Sequence, residues 1–299
     1  MVPVSSHTRA VLQALFVTLL WSSSWVLIKA GLQDIPALTF AGLRYVLATI
    51  CLLPLAIQRG ALRDLRRLPA RDWAELIVFG LMLYTVTQGA QFLGLERLPA
   101  VTTSLLLSFS PVMVALLGIA LLRERITRAQ WGGIALYLAG VLVYFYPVQI
   151  PAREQIGVAI VLVGVLSNAL SAVMGRSINR RQTLSPLAVT IASMGVGSVV
   201  MLAAGVAAQG LTPLNAAHWA IIAWLAVVNT AFAFTLWNLT QRTLSAIETS
   251  IINNTMLIQI AILAWLFLGE RLSVRAIVGL ALAAIGTLIV QLRRAKTGA

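Results

Sequence analysis

Residues 98–143 of this chain reappear at residues 244–289, with a constant offset of 146. The anchor of this repeat is the pentapeptide LRERI at 122–126, which returns as LGERL at 268–272. The ungapped alignment holds 14 identities in 46 positions. Apolar residues inflate that count, but a shared Glu-Arg pair between two long apolar runs is hard to reach by chance. The pattern therefore indicates an internal duplication.

The composition is that of a membrane protein. Hydrophobic residues make up 60% of the chain and charged residues 10%, and the mean hydropathy is +0.92, whereas soluble domains carry about 25% charged residues. A spanning helix needs about 20 apolar residues, and ten segments meet this requirement. They lie at 9–29, 37–57, 73–94, 100–122, 129–147, 155–175, 185–208, 217–239, 246–268 and 273–292. The sequence predicts an all-α integral membrane protein with ten transmembrane helices.

The basic residues predict the orientation. If the amino terminus is inside, 16 of the 22 Lys and Arg residues fall in inner loops and tails, five fall outside, and Arg44 lies within the second span. The positive-inside rule therefore favours two cytoplasmic termini. A nucleic-acid-binding protein would instead cluster its positive charge on one folded face. The net charge of +13 thus predicts contact with anionic lipid headgroups and no nucleic-acid partner.

The number of spans in each half predicts a mechanism. Residues 1–148 would hold the first five spans and residues 149–299 the second five, and an odd number forces the second half into the opposite orientation. Glu124 then lies in an inner loop, while its copy Glu270 lies in an outer one. Inverted repeats are a recurrent construction of secondary transporters, because they can open the same path to either side. Alternating access is the expected mechanism.

Several motifs occur along the chain: Trp21-Ser-Ser-Ser-Trp25 followed by Lys29, the stretch 36–44, Leu98-Pro99-Ala100 leading into Ser110-Pro111, and the doubled Glu-Arg loops. With these motifs the chain resembles the drug/metabolite transporter superfamily, specifically its ten-helix EamA-type exporters. Within the superfamily the chain is most similar to exporters of amino acids and metabolites, including aromatic amino acids. The resemblance implies export from the cytoplasm across a bacterial inner membrane. It also implies a cavity between two inverted bundles, with the fifth and tenth helices at the periphery.

Polar residues at helical spacing within the spans, with aromatic residues on the same helix faces, predict the substrate path, because polar groups avoid hydrocarbon. The predicted substrate-binding residues are Trp21, Ser24, Trp25, Tyr84, Gln88, Ser108, Asn168, Ser171, Trp237 and Asn253. The alternative is that they join neighbouring helices through hydrogen bonds. Aromatic rings beside amides and hydroxyls fit a neutral or zwitterionic substrate with an apolar part.

Five charged residues are candidates for coupling or gating. Lys29 and Arg44 could meet a substrate carboxylate; alternatively, Lys29 reaches the membrane surface and Arg44 pairs with Asp34 or backbone carbonyls. Apart from Glu75 at the beginning of the third span, Glu248 is the only carboxylate within a span, so facilitated diffusion is predicted, with proton coupling through Glu248 as the alternative. Glu124 and Glu270 are predicted as loop caps and ion pairs, or as gates.

Other classes of protein find little support in the sequence. The two histidines lie in the amino-terminal tail and an outer loop, so no histidine-based nucleophile or metal site is expected in the membrane. A P-loop motif is absent, and ATP and other cofactors are therefore not expected. The alternatives are a proton-coupled drug or nucleoside exporter, a channel or a lipid scramblase. Gly133 and Gly140, with their copies Gly279 and Gly286, allow close helix packing, either within a monomer, which is favoured, or in a dimer.

Overall fold

The computed structural model describes residues 6–122, 127–147, 151–181, 183–240, 243–244 and 246–297, and all regular structure within them is helical. The α-helices are α1 Ser6–Gly31, α2 Ala37–Gln58, α3 Ala61–Arg66, α4 Ala70–Gly80, α5 Gly89–Arg97, α6 Ala100–Leu107, α7 Ser110–Leu122, α8 Arg128–Phe145, α9 Ala152–Arg180, α10 Pro186–Gln209, α11 Ala216–Ala226, α12 Ala233–Thr240, α13 Ala246–Asn254, α14 Met256–Leu268 and α15 Val274–Thr297. Two π-helical segments, Leu81–Gln88 and Val227–Phe232, connect α4 to α5 and α11 to α12. The predicted all-α class is confirmed for these residues.

Nine of the ten predicted apolar segments have a counterpart among the apolar helices of the structure; the fifth, 129–147, coincides with α8, which is not one of them. In the part of the chain that the structure describes, seven segments are long and apolar enough to cross a membrane: Ser6–Gly31, Ala37–Gln58, Ala70–Arg97, Ala100–Leu117, Ala152–Gly175, Pro186–Gln209 and Ile251–Leu268. Two shorter apolar helices follow the same pattern, Ala216–Phe232 and Val274–Val290. The prediction of an integral membrane protein built from apolar helices is confirmed. The count of ten crossings and the inverted order stay predictions.

The chain folds into two compact units. The first unit contains Met1–Val26, Arg97–Val158 and Phe232–Ala299, and the second contains Leu27–Glu96 and Ala159–Ala231. Each unit therefore draws segments from both predicted repeats. The repeats describe how the sequence is duplicated, whereas the units describe how its helices pack.

In the second unit, α2 packs closely along α10. A Cβ atom added at Gly42 would lie 2.5 Å from Leu202 Cα, and one added at Gly205 would lie 2.5 Å from Thr39 N. Real Cβ contacts are longer, so larger residues at these two positions would push the backbones apart. Close backbone approach at small residues is the usual way for apolar helices to associate in lipid.

In the first unit, α8 packs on α15 through four glycines. A Cβ atom at Gly140 would lie 2.6 Å from the Gly279 carbonyl oxygen, and one at Gly279 would lie 2.7 Å from the Gly140 carbonyl oxygen. Gly133 and Gly286 approach each other in the same way, at 2.9 and 2.6 Å. Gly140 thus contacts Gly279, the copy of Gly133, and Gly133 contacts Gly286, the copy of Gly140. Such reciprocal contacts are typical of a twofold interface. These glycines therefore serve packing within the chain.

Both π-helical segments begin at corresponding positions. The first begins at Leu81 and the second at Val227, an offset of 146 residues. This is the offset of the sequence repeat, although both segments precede the stretch in which the repeat is visible. π-Helical turns are rare and frequently occur at functional sites. The two halves thus share a backbone feature that their sequences do not display.

The fourth predicted span is interrupted rather than continuous. Helix α6 ends at Leu107 and α7 begins at Ser110. Across this break, Phe109 N donates a hydrogen bond to Leu106 O at 3.1 Å, and Met113 N donates to Phe109 O at 3.0 Å. Because Pro111 lacks an N–H group, it cannot continue the helical ladder at this point.

The ninth predicted span is interrupted at the corresponding position. Helix α13 ends at Asn254 and α14 begins at Met256. Thr255 N donates to Ile252 O at 3.1 Å, and Gln259 N donates to Thr255 O at 2.9 Å. Donors and acceptors of both bonds are displaced by 146 residues from those of the fourth span. The two halves therefore share this pair of backbone hydrogen bonds.

Candidate functional site

Arg44 is the centre of a polar cluster in the second unit. It lies on α2, about 10 Å along the helix axis from Ala37, and is only 5% exposed. Its Nε and Nη2 atoms both donate to Thr230 Oγ1 at 3.3 Å. Thr230 Oγ1 in turn donates to Leu225 O at 2.8 Å. A permanently charged side chain is thus held among apolar helices by neutral partners.

Tyr45 links Arg44 to two further predicted residues. The Arg44 Cζ atom lies 5.0 Å from the centre of the Tyr45 ring. The Tyr45 hydroxyl donates to Gln88 Oε1 at 2.7 Å, and its ring meets the Tyr84 ring edge-on at 5.6 Å. Arg44, Tyr84 and Gln88, from two different predicted spans, are therefore brought together. Sequence analysis did not select Tyr45, although a phenol within a span needs a polar partner as much as an amide does.

The other predicted residues of the second unit bind backbone atoms or stand apart. Lys29 Nζ donates to the carbonyl of Leu95, which ties α1 to α5. Ser171 Oγ donates to Ser167 O at 2.8 Å within its own helix. Asn168 is half-buried on the same helix. In this structure Lys29 therefore joins two helices, and Ser171 bonds to its own helix.

Asp34 does not pair with Arg44. Its Oδ2 atom lies 3.2 Å from His218 Nε2, and the backbone N–H of His218 is capped by Asn215 Oδ1 at the start of α11. The interpretation of Arg44 as the partner of Asp34 is therefore wrong, because the partner of that carboxylate is His218. This leaves Arg44 without an ion pair among the described residues.

An aromatic cluster lies in the first unit. The Trp21 ring is 5.1 Å from the Trp237 ring and 5.2 Å from the Phe234 ring, tilted by 52° in both pairs. Trp25, one turn along α1 from Trp21, is buried. The structure thus brings together Trp21 and Trp237, two residues that are 216 positions apart.

Three hydroxyl or amide candidates of the first unit have simpler surroundings. Ser24 Oγ donates to Trp21 O, and Ser108 Oγ donates to Leu105 O, each at 2.6 Å. Such bonds to the preceding turn satisfy a hydroxyl without any tertiary partner. Asn253 is exposed, whereas its neighbour Asn254 donates to Ala284 O at 2.8 Å. Contacts of Ser24, Ser108 and Asn253 with substrate remain predictions.

Sequence analysis missed a buried hydrogen-bond network between α1 and α14. Ser22 Oγ donates to Gln259 Oε1 at 2.9 Å. Gln259 Nε2 donates to Thr18 Oγ1 and to Thr255 Oγ1, both at 3.1 Å. Each helix contributes polar residues spaced by four, so the spacing rule that selected Tyr84 and Gln88 would also have found this network.

Two of the predicted gating carboxylates cap or bind helix ends in the first unit. Glu270 accepts hydrogen bonds from Ala100 N at 2.6 Å and Val101 N at 3.1 Å, at the amino terminus of α6. A carboxylate stabilises this end of a helix through its free N–H groups and its dipole. Glu248, in the first turn of α13, lies 2.7 Å from His7 Nε2. Glu124 lies outside the described residues.

The chain is similar to several transporters. A Chlamydia trachomatis serovar L2 protein named S-adenosylmethionine/S-adenosylhomocysteine transporter is 25% identical over 265 residues, 84% of this chain and 79% of that protein. The uncharacterized transporter YoaV of Bacillus subtilis is 24% identical over 283 residues, 93% of this chain and 95% of YoaV. The uncharacterized inner membrane transporter YedA of Escherichia coli K12 is 26% identical over 201 residues, 66% of this chain and 62% of YedA.

Fold comparison and family assignment agree with these relatives. A crystal structure matches 96% of this chain and 99% of its own with a TM-score of 0.68, and at 18% identity this shows a shared fold alone. The model of the EamA-like transporter family matches twice, over residues 8–146 and residues 155–292. The names of family and relatives indicate a transporter rather than an enzyme. This chain therefore belongs to the EamA-like transporter family and is a membrane transporter.

Proposed function

We propose that this transporter exports small amphipathic metabolites, in the first place amino acids including aromatic ones, by alternating access without ATP. The observation that carries the proposal is the matched break at Phe109 and Thr255, at the same position of both halves. Interrupted helices at corresponding positions are a construction that inverted-repeat carriers use around a central substrate site. The same device would not be needed in a simple pore.

The topology that goes with this mechanism is two inverted repeats of five spans, in residues 1–148 and 149–299. The reciprocal contact between α8 and α15 supports this arrangement, because twofold contacts are what two related halves make with each other. Both termini would lie in the cytoplasm and the protein in a bacterial inner membrane, as the positive-inside pattern favours. A monomer suffices, since the glycine contacts lie within one chain.

The choice of cargo rests on the chemistry of the two clusters. Trp21 and Trp237 offer flat apolar surfaces, and Tyr84 and Gln88 combine rings with hydrogen-bonding groups. Aromatic side chains of amino acids would stack on such surfaces. S-adenosylmethionine and S-adenosylhomocysteine, the cargo for which the chlamydial relative is named, are a second candidate, because each joins an amino acid to a flat purine.

Facilitated diffusion is the proposed energetic mode. The first span has no acidic residue, and Glu248 is bound to His7 at the beginning of α13. The alternative is proton coupling through Glu248. A wild-type flux that responds to an imposed pH gradient, together with a Glu248→Gln flux that no longer does, would establish the alternative and reject simple diffusion.

The decisive experiment measures uptake of labelled aromatic and aliphatic amino acids into liposomes that contain the purified protein. A carrier of this kind gives saturable uptake that is accelerated by unlabelled amino acid inside and insensitive to a pH gradient. Non-saturating flux without such acceleration would indicate a channel, and transfer of labelled lipid between leaflets would indicate a scramblase. Absence of flux for every amino acid, with flux for nucleosides or drugs, would overturn the proposed cargo.

A matched pair of variants adds specificity to this assay. Trp237→Ala removes a ring that contacts Trp21, whereas Trp219→Ala removes an exposed ring near the start of α11. We expect Trp237→Ala to reduce the uptake of aromatic amino acids more than the uptake of aliphatic ones. Trp219→Ala should leave both unchanged.

A further inference from the structure

We infer that Arg44 recognises a carboxylate of the cargo, so that the transporter accepts amphipathic carboxylates and rejects their uncharged and amine analogues. This inference rests on the proposed function, in which the cargo is a small amphipathic metabolite. It narrows that function by naming the chemical group that every cargo must carry.

The donor capacity of Arg44 exceeds what its partners use. A guanidinium has five N–H donors in a planar fork and cannot lose its proton in a protein. Within the described residues its hydrogen bonds go to a single acceptor, Thr230 Oγ1, and both measure 3.3 Å. This is longer than the usual 2.9–3.0 Å of an N–H···O bond. One hydroxyl on the Nε and Nη2 side leaves the edge formed by Nη1 and Nη2 without an acceptor among the described residues, and this edge suits a ligand with two oxygens.

Burial makes an anionic ligand the most favourable partner. Arg44 is 5% exposed and makes no ion pair with any carboxylate of the described residues. Charged side chains are costly in the membrane interior and are found there mainly where they serve function. Weak screening at such a position strengthens attraction to an opposite charge. A carboxylate would neutralise Arg44 and match its fork with two parallel hydrogen bonds.

The neighbours of Arg44 suit the rest of such a cargo. The Tyr45 ring lies beneath the guanidinium, and the bond from its hydroxyl to Gln88 fixes the ring in that position. The Tyr84 ring stands edge-on to Tyr45. A carboxylate at Arg44 would therefore have aromatic surfaces beside it for an apolar group. Tyr45 and Gln88 act in this scheme as positioning residues for the guanidinium.

A structural role for Arg44 makes a different prediction. If Arg44 only joins α2 to the segment around Thr230, its loss lowers stability but does not change which ligands bind. Ligand selectivity, rather than activity alone, therefore separates the two roles.

The test is binding of matched ligand pairs to the purified full-length protein in detergent, measured by ligand-dependent thermal stabilisation. The pairs are phenylacetate with phenylacetamide, and phenylalanine with phenylalaninamide. We expect the wild type to bind each carboxylate at least tenfold more tightly than its amide. Equal binding of both members by the wild type would overturn the inference without any variant.

Three variants complete the test. Arg44→Gln should bind acid and amide equally, and Arg44→Lys, which keeps the charge but lacks the fork, should retain only part of the preference. Arg153→Gln is the control, because the side chain of Arg153 is 85% exposed at the start of α9. A preference that survives in Arg44→Gln would also overturn the inference. Carboxylate-selective binding without any amino-acid flux in liposomes would reject the proposed cargo while leaving the role of Arg44 intact.

Discussion

The breaks at Phe109 and Thr255 share a pair of backbone hydrogen bonds but differ in their side chains. Both carry the same pair of displaced hydrogen bonds, yet Pro111 of the first break corresponds to Leu257 of the second. The ninth span therefore breaks without the proline that accounts for a break in the fourth. At the second break, Thr255 Oγ1 donates to Ile252 O at 2.6 Å and accepts from Gln259 Nε2 at 3.1 Å, so side-chain bonds within the span accompany this backbone geometry.

The side chains around the two breaks differ in how they are anchored. At the second break, Gln259 binds Thr18 and Ser22 on α1, and Asn254 binds α15. At the first break, Tyr137 on α8 and Ser108 both donate to Leu105 O, at 2.8 and 2.6 Å. The buried Ser110 hydroxyl has no hydrogen-bond partner in the described part of the chain. Both halves thus keep an interruption of the backbone. The second break has more side-chain hydrogen bonds to neighbouring helices than the first.

The largest effect is expected where the two halves remain equivalent. Gly140→Leu and its copy Gly286→Leu would each force side-chain atoms into the facing backbone, at 2.6 Å and 2.5 Å from the nearest atoms. We expect each to lose about 3 kcal/mol or more of stability through overpacking. The melting temperature of the detergent-purified variants measures this loss. Gly132→Leu is the control, since a Cβ there meets nothing within 4 Å. If only one of Gly140→Leu and Gly286→Leu lowered the melting temperature, the two positions would not be equivalent.

The next largest loss of stability is expected at the second break only, around Thr255, where side-chain hydrogen bonds reach α1. Gln259→Leu removes three side-chain hydrogen bonds and should cost about 1–2 kcal/mol, at roughly 0.6 kcal/mol for each interhelical bond in a membrane protein. Its counterpart in the other half is Met113, and Met113→Leu should cost less than about 1 kcal/mol because the volume is nearly kept. Equal melting temperatures for the two variants would show that the hydrogen-bond network does not distinguish the breaks.

A smaller effect concerns the beginnings of the two broken spans. Glu270→Ala removes the cap from α6 and should lower stability by about 1 kcal/mol. Because Glu124 is its copy in the sequence, the repeat predicts a loss of the same size for Glu124→Ala. Thermal unfolding and transport are measured together, since a gate would change transport by more than the loss of stability explains. Normal transport and unchanged melting in Glu270→Ala would leave the cap without a measurable role.

The smallest effect should have the opposite sign. Removing the hydroxyl by Ser110→Ala relieves a buried polar atom that lacks a partner, and we expect a gain of about 1 kcal/mol or less. Ser108→Ala is the matched control, because its hydroxyl is satisfied by Leu105 O. A clear drop in the melting temperature of Ser110→Ala would mean that this hydroxyl does stabilise the first break.

Much of the fold could be predicted because its signals are local or repeated. Runs of apolar residues determine where helices lie, and the offset of 146 residues revealed the duplication. Pro111 could also have indicated the break in the fourth span, since proline interrupts the helical ladder. The break at Thr255 is harder to find from its own sequence, because Leu257 is an ordinary helix residue and a threonine that bonds to the preceding turn also occurs in unbroken helices.

The candidate site was predictable in its chemistry but not in its pairings. Arg44, Tyr84 and Gln88 could be selected because polar groups avoid hydrocarbon, and Trp21 and Trp237 because their rings share helix faces with polar residues. Arg44, Tyr84 and Gln88 are brought together through Tyr45, which the spacing of polar residues did not indicate. The partner of Asp34 was also unpredictable, since His218 is distant in sequence and reaches Asp34 only through the packing of the second unit.

The reciprocal glycine contact between α8 and α15 also bears on the origin of the chain. Gly133 touches the copy of Gly140, and Gly140 touches the copy of Gly133. Two separate molecules of a half-length ancestor would have met through the same surface. The present interface can thus be read as a former homodimer interface that gene fusion enclosed within one polypeptide. A gene divided between the halves should accordingly yield two fragments that reassemble when they are made together.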